Sequence, residues 1–197
     1  MEKKDLKPAG VFKYFEEICQ VPRPSKKEEK MIAYLKAFGA KHNLETKVDE
    51  AGNVLIKKPA TPGKENLQTV VLQSHIDMVC EKNNDVQHDF LTDPIETEID
   101  GEWLKAKGTT LGADNGIGVA TELAILADDS IEHGPLECLF TVDEETGLTG
   151  AFELKEGFMS GDILLNLDSE DEGEIFIGCA GGIDSVAEFT YKEIEVP

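Results

Sequence analysis

Apolar positions fall into two regimes along the chain. In the first, Met31, Leu35, Phe38 and His42 recur at three- and four-residue intervals, the spacing of one helical face. That predicts a helix from about 26 to 42. Ser25, with Glu28 three residues on, forms a capping box that would satisfy the free amides at its start. A shorter helix is expected over 10–19, ended by the Pro22–Pro24 segment. Leu44–Val48, then Gly52-Asn53, then Val54–Ile56 reads as a β-hairpin whose turn exceeds two residues.

Beyond residue 68 short apolar runs alternate with helical stretches: Thr69–Leu72, Ala113–Ala127, Leu136–Val142, Asp162–Leu167 and Glu174–Ile177. Such alternation predicts an α/β domain. Small residues line the helix from Ala113 (Gly116, Gly118, Ala120, Ala124, Ala127) and would let it lie close against a sheet. A nearly continuous apolar strand such as ILLNL at 163–167 predicts a sheet buried on both faces. Repeats and low-complexity segments are absent, and only Lys58–Asn66, with Pro59, Pro62 and Gly63, resembles a linker.

Charge narrows the function classes. Among 197 residues, 40 are Asp or Glu and 19 are Lys or Arg, a net of −21, which argues against a nucleic-acid or anionic-membrane partner. The hydrophobic share, 40%, still supplies a core, so the acid does not signal disorder. The length suits one domain. The charged start MEKKDLKPAG does not read as a targeting segment, and no run approaches the roughly 18 apolar residues of a membrane span. Cys19, Cys80, Cys138 and Cys179 are widely spaced without a C-x-x-C pair, as expected of reduced thiols in a cytoplasmic protein.

Candidate chemistry sits after the strands. His75 and Asp77 follow the run 69–72, Asp143, Glu144 and Glu145 follow 136–142, and Asp168 follows 162–167; Asp114 opens a helix. Ligands of open α/β sheets bind beyond the carboxyl ends of strands, so these groups converge if the strands are parallel and adjacent. Each alone has a plain explanation: a structural His, an Asp-Asn-Gly turn with a helix cap, acid at a helix start, an acidic turn. Together they would repel one another unless cations sat among them. One imidazole with several carboxylates suits zinc, manganese or cobalt better than an all-oxygen calcium site. Two metals about 3.5 to 4 Å apart hold a water between them, lower its pKa and polarise a carbonyl. Of the adjacent pair Glu144-Glu145, one side chain can then bind metal while the other takes the water's proton.

Four segments, SHIDMVCEKN (74–83), GTTLGADNGIGVA (108–120), LFTVDEETGLTGA (139–151) and NLDSEDEGEIFIGCAGG (166–182), resemble the aminoacyl-histidine dipeptidases. These are also called cytosol non-specific dipeptidases, of the two-zinc metallopeptidase group that includes carnosinases, peptidase T and acetylornithine deacetylases. The similarity runs from about residue 8 to the end, and GTTLGADNGIG points to the dipeptidase branch. It implies a mixed, mostly parallel sheet flanked by helices, and two divalent ions, zinc first and cobalt or manganese next. Position by position, it implies that His75 and Asp168 bind one metal, Asp114 bridges both, Glu145 binds the second, and Glu144 is the general base. Asp77 would hydrogen-bond the far nitrogen of His75 and fix its tautomer. Asp at 168 rather than Glu favours substrates with a free amino terminus, Xaa-His and other unblocked dipeptides.

The resemblance also implies a further metal-binding His downstream, after an inserted lid domain that contacts substrate and makes a homodimer. No counterpart occurs in these residues, so the chain is expected to be the amino-terminal portion of a catalytic domain, 1–197. His88 and His133 are read as loop residues and not as replacements, and Cys80 as a buried thiol. Trp103 is expected to pack on the sheet, and the acids of Ser169–Glu174 to face water. Two alternatives stay open: a related aminopeptidase or tripeptidase, and an inactive metal-binding fragment.

Overall fold

A computed structural model describes residues 3–169, 171, 173–178, 181–183 and 185–192; Glu170, Glu172 and Cys179 lie outside them. Helices α1 (Ala9–Cys19) and α2 (Glu29–Lys41) come first, then strands β1 (Glu45–Val48), β2 (Val54–Lys58) and β3 (Val70–His75). β4 (Thr97–Asp100) and β5 (Trp103–Ala106) follow, then α3 (Ala113–Ala127), β6 (Leu136–Thr141), α4 (Thr149–Glu153) and β7 (Ile163–Asn166).

Hydrogen-bond register orders the main sheet β1-β2-β6-β3-β7. β1 and β2 form the expected hairpin, and β2 pairs antiparallel with β6. β6, β3 and β7 are parallel neighbours, with His75 opposite Thr141 and Gln73 opposite Asn166. Their carboxyl ends therefore share one edge of the sheet. The central strand β6, LECLFT, is buried at every position, as a strand flanked on both sides must be. β4 and β5 make a separate two-stranded ribbon.

One face of the sheet carries the main core, where Phe15, Ile18, Met31, Leu35 and Leu123 from the helices meet Val54, Ile56, Cys138 and Phe140. α3 approaches closely through its small residues. A Cβ on Gly118 would overlap Asn115 Oδ1 and stand 3.1 Å from Ser74 Cβ on β3, and one on Gly10 of α1 would touch Ala124 at 3.4 Å. Lys58, buried at the end of β2, donates to the carbonyls of Ile125 (3.2 Å) and Asp128 (2.8 Å) and so closes the carboxyl end of α3.

Several expectations are corrected. The sheet is not buried on both faces: Ile163, Leu164 and Leu165 of β7 are 40%, 46% and 49% exposed, because β7 is an edge strand. The opposite face holds only a small cluster around Leu55, Val71 and Leu139. Glu174–Ile177 forms no strand; Ile175 and Ile177 are exposed and have no strand partner among the described residues. Trp103 does not pack on the sheet but projects from β5 of the separate ribbon, 74% exposed. The capping box does not form, and α2 starts at Glu29 without a side-chain cap. Ser25 and Glu28 are drawn instead toward the strand ends, to Asp77 and the Asp143 amide.

Gly118→Ala should destabilise the fold by about 1 to 3 kcal/mol through overpacking between α3 and β3. Urea unfolding followed by circular dichroism measures it, and an unchanged midpoint would show that the close approach is not required.

Candidate metal centre

Each candidate residue reaches the shared edge by a different local route. His75 is the last residue of β3 and is 1% exposed. Asp114 lies in the first turn of α3, where φ/ψ at Asp114 and Asn115 depart from helical values after a left-handed Gly112. Glu144 and Glu145 follow β6 just past Asp143, which itself has positive φ; the hydroxyls of Thr146 and Thr149 donate to the Asp143 carboxylate and hold that turn. Asp168 stands two residues beyond β7.

These routes converge. His75 Nε2 lies 3.0 Å from Asp114 Oδ1, 3.9 Å from Asp168 Oδ2 and 4.0 Å from Glu144 Oε2. Two metal-competent groups share that imidazole: His75 with Asp114 and Asp168, and His75 with Glu144 and Glu145. Behind it, His75 Nδ1 is 3.2 Å from Asp77 Oδ1. Asp77 is fully buried and also accepts from Ser25 Oγ (2.8 Å) and from the backbone N–H groups of Glu144 (3.0 Å) and Glu145 (3.2 Å).

The charges follow from this geometry. Burial alone would raise the Asp77 carboxyl, but the hydrogen bonds from His75, Glu144 and Ser25 outweigh it and hold it at about 2. Burial would lower His75; the hydrogen bond and charge of Asp77, then Asp168 and Asp114, raise it instead to about 9. With carboxylates at both ring nitrogens, imidazolium is the form that satisfies both. Glu144 is raised by burial and by the charges of Asp168, Asp77 and Asp114. Glu145 is raised by burial and Asp114, and Asp168 by burial and Asp114. The single imidazolium lowers all three acids but does not offset their burial and their neighbours' charge.

Some participants escape a reading of the sequence. Ser25 serves Asp77, and Glu28 Oε1 accepts the amides of Lys26 (2.9 Å) and Asp143 (3.0 Å), fixing the turn before Glu144. Their capping-box pattern hides this, because the same groups suit either task. Glu122, buried in α3 and raised by burial to about 8, accepts at 2.6 Å from Oγ of Ser74, the residue before His75 on β3. His88 packs edge-on against Phe90, and His133 Nδ1 lies 2.6 Å from the Gly134 carbonyl. Neither joins a metal-competent group among the described residues. Cys80 is half-buried and burial raises its thiol to about 11, unlike an activated nucleophile.

Residues 71–192, which include His75, Asp77, Asp114, Glu144, Glu145 and Asp168, match the family described as Peptidase family M20/M25/M40. The chain belongs to that family. Among its relatives, the cytosol non-specific dipeptidase of Escherichia coli (strain K12) is 51% identical over 196 residues, covering 100% of this chain and 40% of that protein. The crystal structure of aminoacylhistidine dipeptidase from Vibrio alginolyticus superimposes with a TM-score of 0.85 at 56% identity, over 88% of this chain and 35% of that one. That of aminopeptidase PepT from Bacillus cereus gives 0.70 at 26% identity, over 82% and 43%. The chain thus spans about two-fifths of the curated dipeptidase's length. Among the described residues no helix is long and apolar enough to cross a membrane.

Protonation of this M20/M25/M40 cluster fixes how the metal-free protein responds to pH. His75, raised from 6.5 to about 9, contributes stability that is complete below 6.5 and lost as pH rises to 9. Raised Glu144, Glu145 and Asp168 act in the same direction. Asp77, lowered from 3.8 to about 2, contributes above 3.8 and loses its contribution as pH falls toward 2. Thermal melting in chelator should therefore show a maximum between pH 3.8 and 6.5 and a fall by pH 9; a Tm that climbs from 6.5 to 9 would contradict these assignments.

Proposed function

We propose that this chain supplies most of the two-metal site of a dipeptidase that hydrolyses Xaa-His and other unblocked dipeptides. The observation carrying the proposal is the donor set itself: one imidazole nitrogen within 4.0 Å of three carboxylates from three different elements. Burial first, and then the charges of neighbouring acids, raise Glu144, Glu145 and Asp168, and divalent cations would offset both. Imidazole with carboxylates fits zinc, with cobalt or manganese as alternatives. Kinship with two proteins named as dipeptidases supports the reaction class.

His75 and Asp168 would hold one ion, Glu145 the other, and Asp114 both. When bound, such ions supply Lewis acidity to the peptide carbonyl and acidify water. Glu144, whose Oε2 stands 4.0 Å from His75 Nε2 beside the candidate ligands, accepts the attacking water's proton and passes it to the leaving amine. Asp77 holds the His75 ring so that Nε2 points at the cluster. In this reading the chain is the amino-terminal portion of a catalytic domain, the lid and one further ligand come from elsewhere, and the assembled enzyme is a cytoplasmic homodimer.

A second reading, a metal-binding piece without turnover, is favoured by one observation: among the described residues His75 is the only histidine in any metal-competent group. Elemental analysis separates the two, since two tightly held ions per chain support the first and one or none the second.

In the assembled enzyme, Glu144→Gln should reduce kcat by about 10²- to 10⁴-fold while metal content stays near that of the parent. Asp114→Ala should lose both ions together. An active Glu144→Gln enzyme would remove Glu144 from the general-base role.

A further inference from the structure

Arg23 carries a charge that the site does not use directly. It stands between α1 and α2, is 2% exposed, and pairs with no carboxylate among the described residues. Its Nη1 donates to the carbonyls of Ile76 (3.1 Å) and Asp77 (2.9 Å), and its Nη2 to the carbonyl of Gly112 (2.5 Å). Burying a guanidinium is costly, and here its hydrogen bonds go to backbone carbonyls rather than to an ion-pair partner.

The three carbonyls belong to two segments. Ile76 and Asp77 directly follow His75, and Gly112 precedes Asp114 by two residues. The two arms of one planar fork therefore tie the turn that presents His75 to the turn that presents Asp114, whose side chains stand 3.0 Å apart. Space is cleared for the fork: a Cβ on Gly112 would sit 2.6 Å from Nη2, and one on Gly116 2.7 Å from it. Gly112 also holds the left-handed φ of +69°, so glycine serves it twice over. Arg23 is itself anchored. Pro22 and Pro24 bracket it and stiffen the backbone, and Pro24 bridges to Met78 just past the carbonyls it grips.

We propose that Arg23 is a positioning residue that sets the separation of His75 from Asp114, so that the metal ligands are aligned before metal arrives. This deepens, and rests on, the reading of the cluster as a two-metal site. A lysine at 23 keeps the charge yet offers its donors from a single nitrogen and cannot span both segments, so charge and span are separable.

The test has two arms, both on the 197-residue chain. In metal-free protein, hydrogen exchange at the amides of Ile76 and Gly116, which bond to Thr141 and Gly112, should quicken at least about tenfold in Arg23→Lys, while the β2–β6 amides keep their rates. Zinc titration should show affinity reduced by about 10- to 100-fold, the usual effect of losing an outer partner of a metal site. Gly116→Ala, which displaces the same guanidinium with Arg23 retained, should repeat both effects and serves if Arg23→Lys does not fold. Unchanged local exchange in the folded variant overturns the proposal, as does full zinc affinity with lysine at 23. A parent chain that binds no zinc overturns the two-metal reading instead, and the exchange arm then decides whether Arg23 ties the two segments.

Discussion

Asp77 has no exposure to solvent, and its two oxygens accept from His75, Ser25 and the backbone of both Glu144 and Glu145. One carboxylate thereby joins the end of β3, the segment before α2 and the turn after β6. The exchange of solvation for four donors is what lets a buried anion persist. At the candidate metal centre it sets the direction of the imidazole and the placement of the two glutamates whose own amides are held.

Parallel pairing provides the setting. Because β6, β3 and β7 run the same way with nearly level ends, residues distant in sequence (75, 144, 145 and 168) arrive at one edge. α3 brings Asp114 to that edge, and it can do so because glycines let it approach β3 and the Arg23 fork. Fold and site are thus parts of one arrangement: strand register gathers repelling acids, and a buried scaffold of Asp77, Glu28 and Arg23 keeps them gathered.

Much of this was legible in the sequence. Spacing of apolar residues marked α1, α2, α3, the hairpin and the parallel strands, since each buries a face with its own period. Position at strand ends marked His75, Asp77, Glu144, Glu145 and Asp168 as a group. What escaped has physical causes. Ser25 and Glu28 fit a capping pattern, yet Asp77 and the Asp143 amide compete for the same groups and win. Trp103 and the ILLNL run are apolar enough for a core, but burial depends on what packs against them. Arg23, between two prolines, read only as the end of a helix because its partners are backbone carbonyls, which no side-chain pattern reveals.

The central claim is that the acids beyond β3, β6 and β7 exist to hold divalent cations. Anomalous diffraction at the zinc edge, from crystals grown with zinc, tests it most directly. The account predicts density bounded by His75, Asp114, Asp168 and Glu145, with Asp77 still against His75 Nδ1. A crystal in which zinc binds elsewhere, or in which His75 keeps its contact with Asp114 and no anomalous peak lies between them and the glutamates, would contradict it.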